Sequence, residues 1–228
     1  MLKIDFHTHP AEDRRDFVKY AARELIDRAV ARGFDALAIT CHDAFYNSPA
    51  LGRYAAAKGL LLLPGVEITA SRAHIVVINP RFAPRRKGYD LREVPALRHE
   101  ESLFIAAHPY FPFFPSLGKR LVTILPWLDA IEFTSYHNAL VDFNRAAVRT
   151  ARTYGKPLVG NSDCHDLVQF GKTYTLVDAE KSLPSIVRAV RAGRCEVRTT
   201  PISTGTMVRI AVQAFTVEKM RRVIENRW

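Results

Sequence analysis

The chain has 228 residues, 48% of them hydrophobic and 25% charged, with a formal net charge of +10. That length and balance suit one soluble globular domain with a sizeable core, and no apolar run nears the roughly 20 residues that cross a bilayer. Three cysteines, Cys41, Cys164 and Cys195, do not make a disulfide framework and point to reduced thiols.

Met1 to Asp5 lacks the charged lead and apolar centre of a signal peptide, so the expected location is cytoplasmic. Leu2–Phe6 is a short apolar run, and Arg15–Arg32 has the apolar period of a helix that stops at Gly33. Phe34–Thr40 is a second strand, followed by a helical stretch through Tyr54–Lys58 and a stop at Gly59. Leu60–Ile68 and His74–Asn79 are two further apolar runs. The segment from Arg81 to Arg92 is basic and carries Pro80, Pro84 and Gly88 nearby, which marks a loop. Leu103–Ala107, Ala130–Phe133 and Pro157–Gly160 are strands, with a helix over Asn138–Tyr154. Tyr174–Val177, the helix Leu183–Ala192 and the strand Arg194–Thr199 complete the pattern. Alternating apolar strands and helices predict an α/β fold with a parallel sheet, and about seven such units favour a closed TIM-like barrel. We expect a single domain over residues 1–228. The tail, approximately 200–228, is apolar on one side (Val208, Ile210, Val212, Phe215, Val217, Met220, Val223, Ile224) and should pack on the barrel.

The histidines carry the functional signal. Of 8, all but His99 sit at or beside a strand end. His7 and His9 follow the first strand and His42 the second, Glu67 ends the third, His74 opens the fourth, and His108 follows the fifth. Asp163 and His165 follow Pro157–Gly160. In a β/α barrel the C-terminal strand ends converge on one face, where active sites are built. Alternation along an extended chain puts His7 with His9, and Asp163 with His165, on shared faces, and turns Cys164 away. Imidazole and carboxylate together suit zinc, manganese or iron. So many ligands exceed what one ion needs, and two or three divalent ions would use them better.

The motifs Asp5-Phe-His7-Thr-His9, Thr40-Cys-His42-Asp43, Gly65-Val-Glu67, His74-Ile-Val, Ala107-His108-Pro109 and Asn161-Ser-Asp163-Cys-His165 resemble those of the PHP (polymerase and histidinol phosphatase) superfamily. The resemblance runs from about residue 2 to residue 177. It implies a distorted seven-stranded β/α barrel, (β/α)7, with a trinuclear metal centre. By this likeness His7, His9, Glu67 and Asp163 hold one ion, and Glu67 bridges to a second completed by His74 and His108. His42 and His165 hold a third, with an acidic or histidine residue shortly after His9. The family's usual position for that residue falls here on Arg14 and Arg15, so Asp13, or else Glu12, is the expected substitute. Where the family has Thr-Asp-His, this chain has Thr40-Cys41-His42, while Asp43, the expected catalytic carboxylate, is present.

The reaction to expect is in-line attack at phosphorus by a metal-activated hydroxide on a small phosphorylated metabolite or nucleotide, as a phosphatase or phosphodiesterase. His137 is a candidate proton donor to the leaving group. Lys119 and Arg120 are candidates for substrate binding, with a solvated helix face as the rival reading. The aromatic loop Pro109–Pro115 could wall the pocket for stacking against bases, or be covered by neighbouring elements. The positive charge keeps a nuclease acting on oligonucleotides as an alternative, and no membrane partner is expected. A further alternative is a non-catalytic barrel scaffold in an RNA-processing assembly, similar to the barrel subunit of archaeal ribonuclease P. Amidohydrolase barrels also begin with His-x-His, but no lysine here ends a middle strand as their bridging ligand would.

Overall fold

A computed structural model of the chain describes residues 1–46, 48–85, 88–112, 114–210 and 212. Nine strands form one sheet among these residues. In chain order they are β1 (Leu2–Asp5), β2 (Ala36–Ile39), β3 (Leu61–Ala70), β4 (Ala73–Ile78), β5 (Leu103–Ala106), β6 (Ala130–Thr134), β7 (Leu158–Asn161), β8 (Thr173–Val177) and β9 (Cys195–Thr199). The helices are α1 (Ala22–Ala31), α2 (Pro49–Ala57), the single turn α3 (Leu121–Ile124), α4 (Arg145–Tyr154) and α5 (Leu183–Arg191). The sheet order is β7-β6-β5-β4-β3-β2-β1-β8-β9.

Neighbours β1–β2–β3 and β5–β6–β7 pair in parallel. The pairs β3–β4, β4–β5, β1–β8 and β8–β9 are antiparallel. Seven strands (β1, β2, β3, β5, β6, β7 and β9) therefore run one way, and β4 and β8 run against them. The expectation of an all-parallel sheet fails at these two. The β3–β4 reversal is a two-residue turn at Ser71 and Arg72, both with positive φ. Such a turn fits the twist of a hairpin, and usually carries Asn or Gly, which this sequence lacks there.

The sheet curls until its ends meet. The Thr175 hydroxyl donates to the carbonyl of Gly160 across the seam, at 2.8 Å. Strand β7 approaches so closely there that a methyl group on Gly160 would lie 2.7 Å from the Tyr174 carbonyl oxygen and 2.9 Å from Val197 Cγ1. The barrel is nearly closed. Its interior is filled by Ile4, Phe6, Ala38, Leu63, Val76, Ile105 and Val159, while α1 and α2 cover one flank through Leu25, Ile26, Leu51 and Ala55.

Two helices are shorter than the sequence predicts. Helix α1 begins at Ala22, because residues 11–21 leave the helical path and turn inward. Its first amides are satisfied from a distance: Glu24 accepts from Ala21 N at 2.8 Å, and Glu12 from Ala22 N at 2.9 Å. Glu12 is thus a capping residue. Helix α4 begins at Arg145 instead of Asn138. In the tail, residues 204–210 are helical. Ile202, Met207 and Ile210 pack against Tyr136, whereas Val208 and Val212 are exposed. Phe215, Val217, Met220, Val223 and Ile224 lie outside the described residues.

Candidate metal centre

The strand ends bring the nine expected ligands together. Because β4 runs backwards, the residue at its start, His74, reaches the same face as the residues at the ends of β1, β2, β3, β5 and β7. His7, His9, Glu67 and Asp163 form one group. His7 Nε2 lies 3.3 Å from Glu67 Oε2 and 3.4 Å from Asp163 Oδ1, and His9 Nε2 lies 3.4 and 3.3 Å from the same atoms. The other oxygen of Glu67 faces a second set, His74 Nδ1 at 2.9 Å and His108 Nε2 at 3.2 Å. His42 Nε2 also reaches Glu67 Oε2, at 2.9 Å.

A third group gathers around the loop after His9. Asp13 Oδ2 lies 3.0 Å from His9 Nδ1 and 2.9 Å from His42 Nδ1. Asp16, which the sequence does not single out, lies 3.1 Å from His42 Nδ1 and 2.9 Å from His165 Nε2. Asp16 thus meets both histidines of this group, whereas Asp13 also accepts the backbone N–H groups of His42 and Arg15.

These donors fit divalent ions. Glu67 Oε2, His74 Nδ1 and His108 Nδ1 are buried, yet no aligned hydrogen bond reaches them among the described residues. His7 Nε2 and His9 Nε2 face each other at 3.0 Å, where a shared cation satisfies both lone pairs better than a proton can. Among the described residues, four overlapping clusters have the atoms of a coordination site: His9, Asp13, Asp16 and His42; His7, His9 and Glu67; His9, Asp163 and His165; His42, Glu67 and His74.

Burial disfavours charge on these groups, but their mutual attraction exceeds it at most positions. Glu67 and Asp163 are held well below the usual carboxylate range by the surrounding histidines. Glu132, Glu67 and Asp163 raise His7, and Asp16, Glu67 and Asp13 raise His42. His165 is pushed up to about 9, mainly by Asp16. At His74 burial wins, and its value falls to about 4, leaving a neutral imidazole. Asp5, beneath the site, is raised to about 7 by burial while accepting from the amides of His7 and Ser162.

Sequence reasoning also passes over Glu132, a fully buried carboxylate in β6 that lies 2.8 Å from His7 Nδ1. An acid inside the run Ala130-Ile-Glu-Phe-Thr134 was the available signal, because an apolar strand does not bury a carboxylate without partners. Asp43, His108 and Asp163 all have positive φ, a concentration of backbone strain at the site.

Other expected residues lie elsewhere. Asp43 accepts from the amide and hydroxyl of Thr69, at 2.6 and 2.7 Å, and from the Arg15 guanidinium. His137 turns its ring to the Thr199 hydroxyl, at 2.6 Å, instead of toward the ligands. Lys119 is exposed, and Arg120 donates to the carbonyls of Ser71 and Ser116, tying the β3–β4 turn to the loop after His108. In that loop Phe111 and Phe114 stack with centroids 4.6 Å apart and pack on Tyr136. Phe114 also borders the His108 ring at 5.8 Å. Cys41 and Cys164 are buried in the cluster beneath α1.

A sequence family described as PHP-associated matches residues 142–195, which include Asp163 and His165. Solved structures match over nearly the whole chain. One is a two-domain protein from Bacteroides vulgatus containing a predicted PHP-like metal-dependent phosphoesterase, at 21% identity and TM-score 0.66, covering 94% of this chain and 69% of that one. PsfC from Pseudomonas syringae matches at 18% identity and TM-score 0.68, covering 96% and 98%. The lesion-specific endonuclease PfuEndoQ from Pyrococcus furiosus matches at 14% and 0.56, covering 86% and 57%. No curated protein matches in sequence. The chain shares its fold with these solved structures, one of which contains a predicted PHP-like phosphoesterase, and the PHP-associated match covers residues 142–195 of it.

Proposed function

We propose that the protein is a metal-dependent phosphoester hydrolase acting on a small phosphorylated metabolite or nucleotide. The observation that carries this reading is Glu67, whose two carboxylate oxygens face different sets of imidazoles, as a bridge between two ions would. His7, His9 and Asp163 would complete one position, His74 and His108 the next, and His42, His165 and Asp16 with Asp13 a third. Zinc, manganese or iron suits this mixed nitrogen and oxygen set. Bound divalent ions would supply Lewis acidity toward phosphoryl oxygens and make water more acidic.

The chain's own groups then orient the ester. The Asp43 carboxylate, fixed by Thr69, holds the Arg15 guanidinium beside the site, so Asp43 acts by positioning a cation. Phe114, against His108, limits access from the side of β5. The proton-donor role expected of His137 would require its ring to leave Thr199, and nothing in the geometry favours that.

Metal content of the purified protein, measured beside hydrolysis of p-nitrophenyl phosphate and its bis-ester with manganese or zinc, tests the reading. Two or three ions per chain, with activity abolished by His9→Ala, is the expected result. Protein that stays inert after reconstitution would overturn it. The net charge of +10 supports oligonucleotide cleavage as a second reading, for which binding of single strands should weaken steeply with salt.

A further inference from the structure

We infer that Glu132 is a positioning residue that decides which nitrogen of His7 faces the metal pocket; this rests on the metal-centre reading above. Glu132 lies in β6 beside the buried Ile131 and has no exposed surface. A carboxylate in such a place is unfavourable unless donors surround it. Two do. Asn161 Nδ2 donates to Oε1 at 2.8 Å, the backbone N–H of His108 donates to Oε2 at 2.6 Å, and His7 Nδ1 lies 2.8 Å from Oε1.

An ionised carboxylate only accepts, and the two fixed N–H donors of Asn161 and His108 suit that form, so the His7 proton belongs on Nδ1 and the lone pair on Nε2. Nε2 is the atom that faces His9 Nε2, Glu67 Oε2 and Asp163 Oδ1. A carboxylate behind a ligating histidine fixes its tautomer and ring orientation and makes the imidazole a stronger ligand. Asn161 in turn fixes Glu132, since its own oxygen accepts from Phe6 N and leaves its amide N–H for Oε1.

The second oxygen extends the role across the site. It binds the amide of His108, whose φ of 28° needs support from its surroundings. His7 and His108 approach opposite oxygens of Glu67. One buried carboxylate therefore sets the ring of a ligand on one side of Glu67 and the backbone of a ligand on the other.

Glu132→Gln tests this, because the amide offers one acceptor and one donor group. With its oxygen toward His7 and Asn161, its NH2 opposes the His108 N–H. Reversed, its NH2 opposes His7 Nδ1 and drives the proton to Nε2, cancelling the ligand. Cobalt(II) titration followed by visible absorption should show affinity about 10–100-fold weaker and an altered spectrum, with circular dichroism unchanged. In a His7→Ala background the same substitution should cost less, because only the His108 amide is then affected. A folded Glu132→Gln protein that binds cobalt like the parent overturns the inference, as does an equal loss with and without His7.

Should the variant not fold, the parent decides. In 113Cd-loaded protein with 15N-labelled histidine, the metal coupling should fall on His7 Nε2 with a proton on Nδ1, and coupling to Nδ1 overturns the inference. Since none of these measurements reads hydrolysis, a Glu132-dependent metal site in an inert protein would defeat the phosphoesterase reading alone.

Discussion

His74 Nδ1 lies 2.9 Å from Glu67 Oε1 across the β3–β4 hairpin, in which His74 pairs with Thr69. Residues 67 and 69 share a face of β3, so the diagonal places imidazole over carboxylate. The reversal of β4 is what makes the start of a strand available to a face otherwise built from strand ends. His74→Ala should therefore empty one ion position. Glu67→Gln, which removes a group shared by both oxygens' partners, should empty more than one, with activity down by at least about 100-fold. Metal analysis of the two variants checks the order, and equal losses would show that Glu67 serves a single ion.

Asp13 and Asp16 stand beside the same histidines but differ in what else they hold. Asp13 accepts two backbone amides, of His42 and Arg15, while Asp16 bonds to side chains of His42 and His165. Asp13→Ala should thus lower metal-free stability by about 1–3 kcal/mol, since it strands buried donors. Asp16→Asn should weaken metal binding, and in the metal-free chain it should cost stability only below about pH 9, where His165 is protonated. A loss in both that persists above pH 9 would mean that Asp16 is a structural residue.

Acidity enters through the histidines. In the metal-free chain burial opposes charge on His165, but Asp16 exceeds it and holds the pKa near 9, above the ordinary 6.5. The protonated pair therefore stabilises the fold fully below about 6.5 and loses that contribution as pH rises through 9; His7 and His42 are shifted in the same direction. The metal-free Tm should fall over that window by at least about 2–4 °C, the equivalent of 1 kcal/mol for a chain of this size. Metal must displace these protons, so its affinity should climb over the same window. Calorimetry at pH 7.5 in buffers of different ionisation heat should show protons released on metal binding, and a buffer-independent heat would contradict the assignment.

Much of this was legible in the sequence, for identifiable reasons. The strands announce themselves as apolar runs, and His7, His9, His42, His108, Asp163 and His165 follow them directly. The start of α1 was not legible. Val18 is buried at helical spacing before Ala22 and Leu25, so the segment carrying Asp16 reads as a first helical turn, and Ala21 gives no capping signal. Asp16 was hidden inside that misread turn. The direction of β4 was hidden because Ser71 and Arg72 make a hairpin turn without its usual residues. Glu132 sits mid-strand, where pattern reasoning looks for packing, and only its three partners, His7 and His108 just beyond β1 and β5 and Asn161 at the end of β7, reveal its place.

Closure of the barrel depends on the absence of a side chain at Gly160. Its backbone carbonyl accepts from Thr175 while β8 and β9 press on the space a Cβ would fill, at 2.7 Å from Tyr174 O and 2.9 Å from Val197 Cγ1. Backbone cannot yield as the end of a flexible side chain does, so Gly160→Ala should cost about 1–3 kcal/mol by overpacking. Because Asn161 and Asp163 follow directly, the displacement of β7 should also weaken metal binding. Gly52 is the control. It lies within α2 with nothing inside 4 Å of its Cβ position, and Gly52→Ala there should be neutral or stabilising by about 0.5–1 kcal/mol. Denaturant unfolding of the two variants, read with cobalt affinity, checks the contrast. If both behave like the parent, the seam between β7 and β8 is looser than these distances, and the end strands move apart without disturbing the ligands.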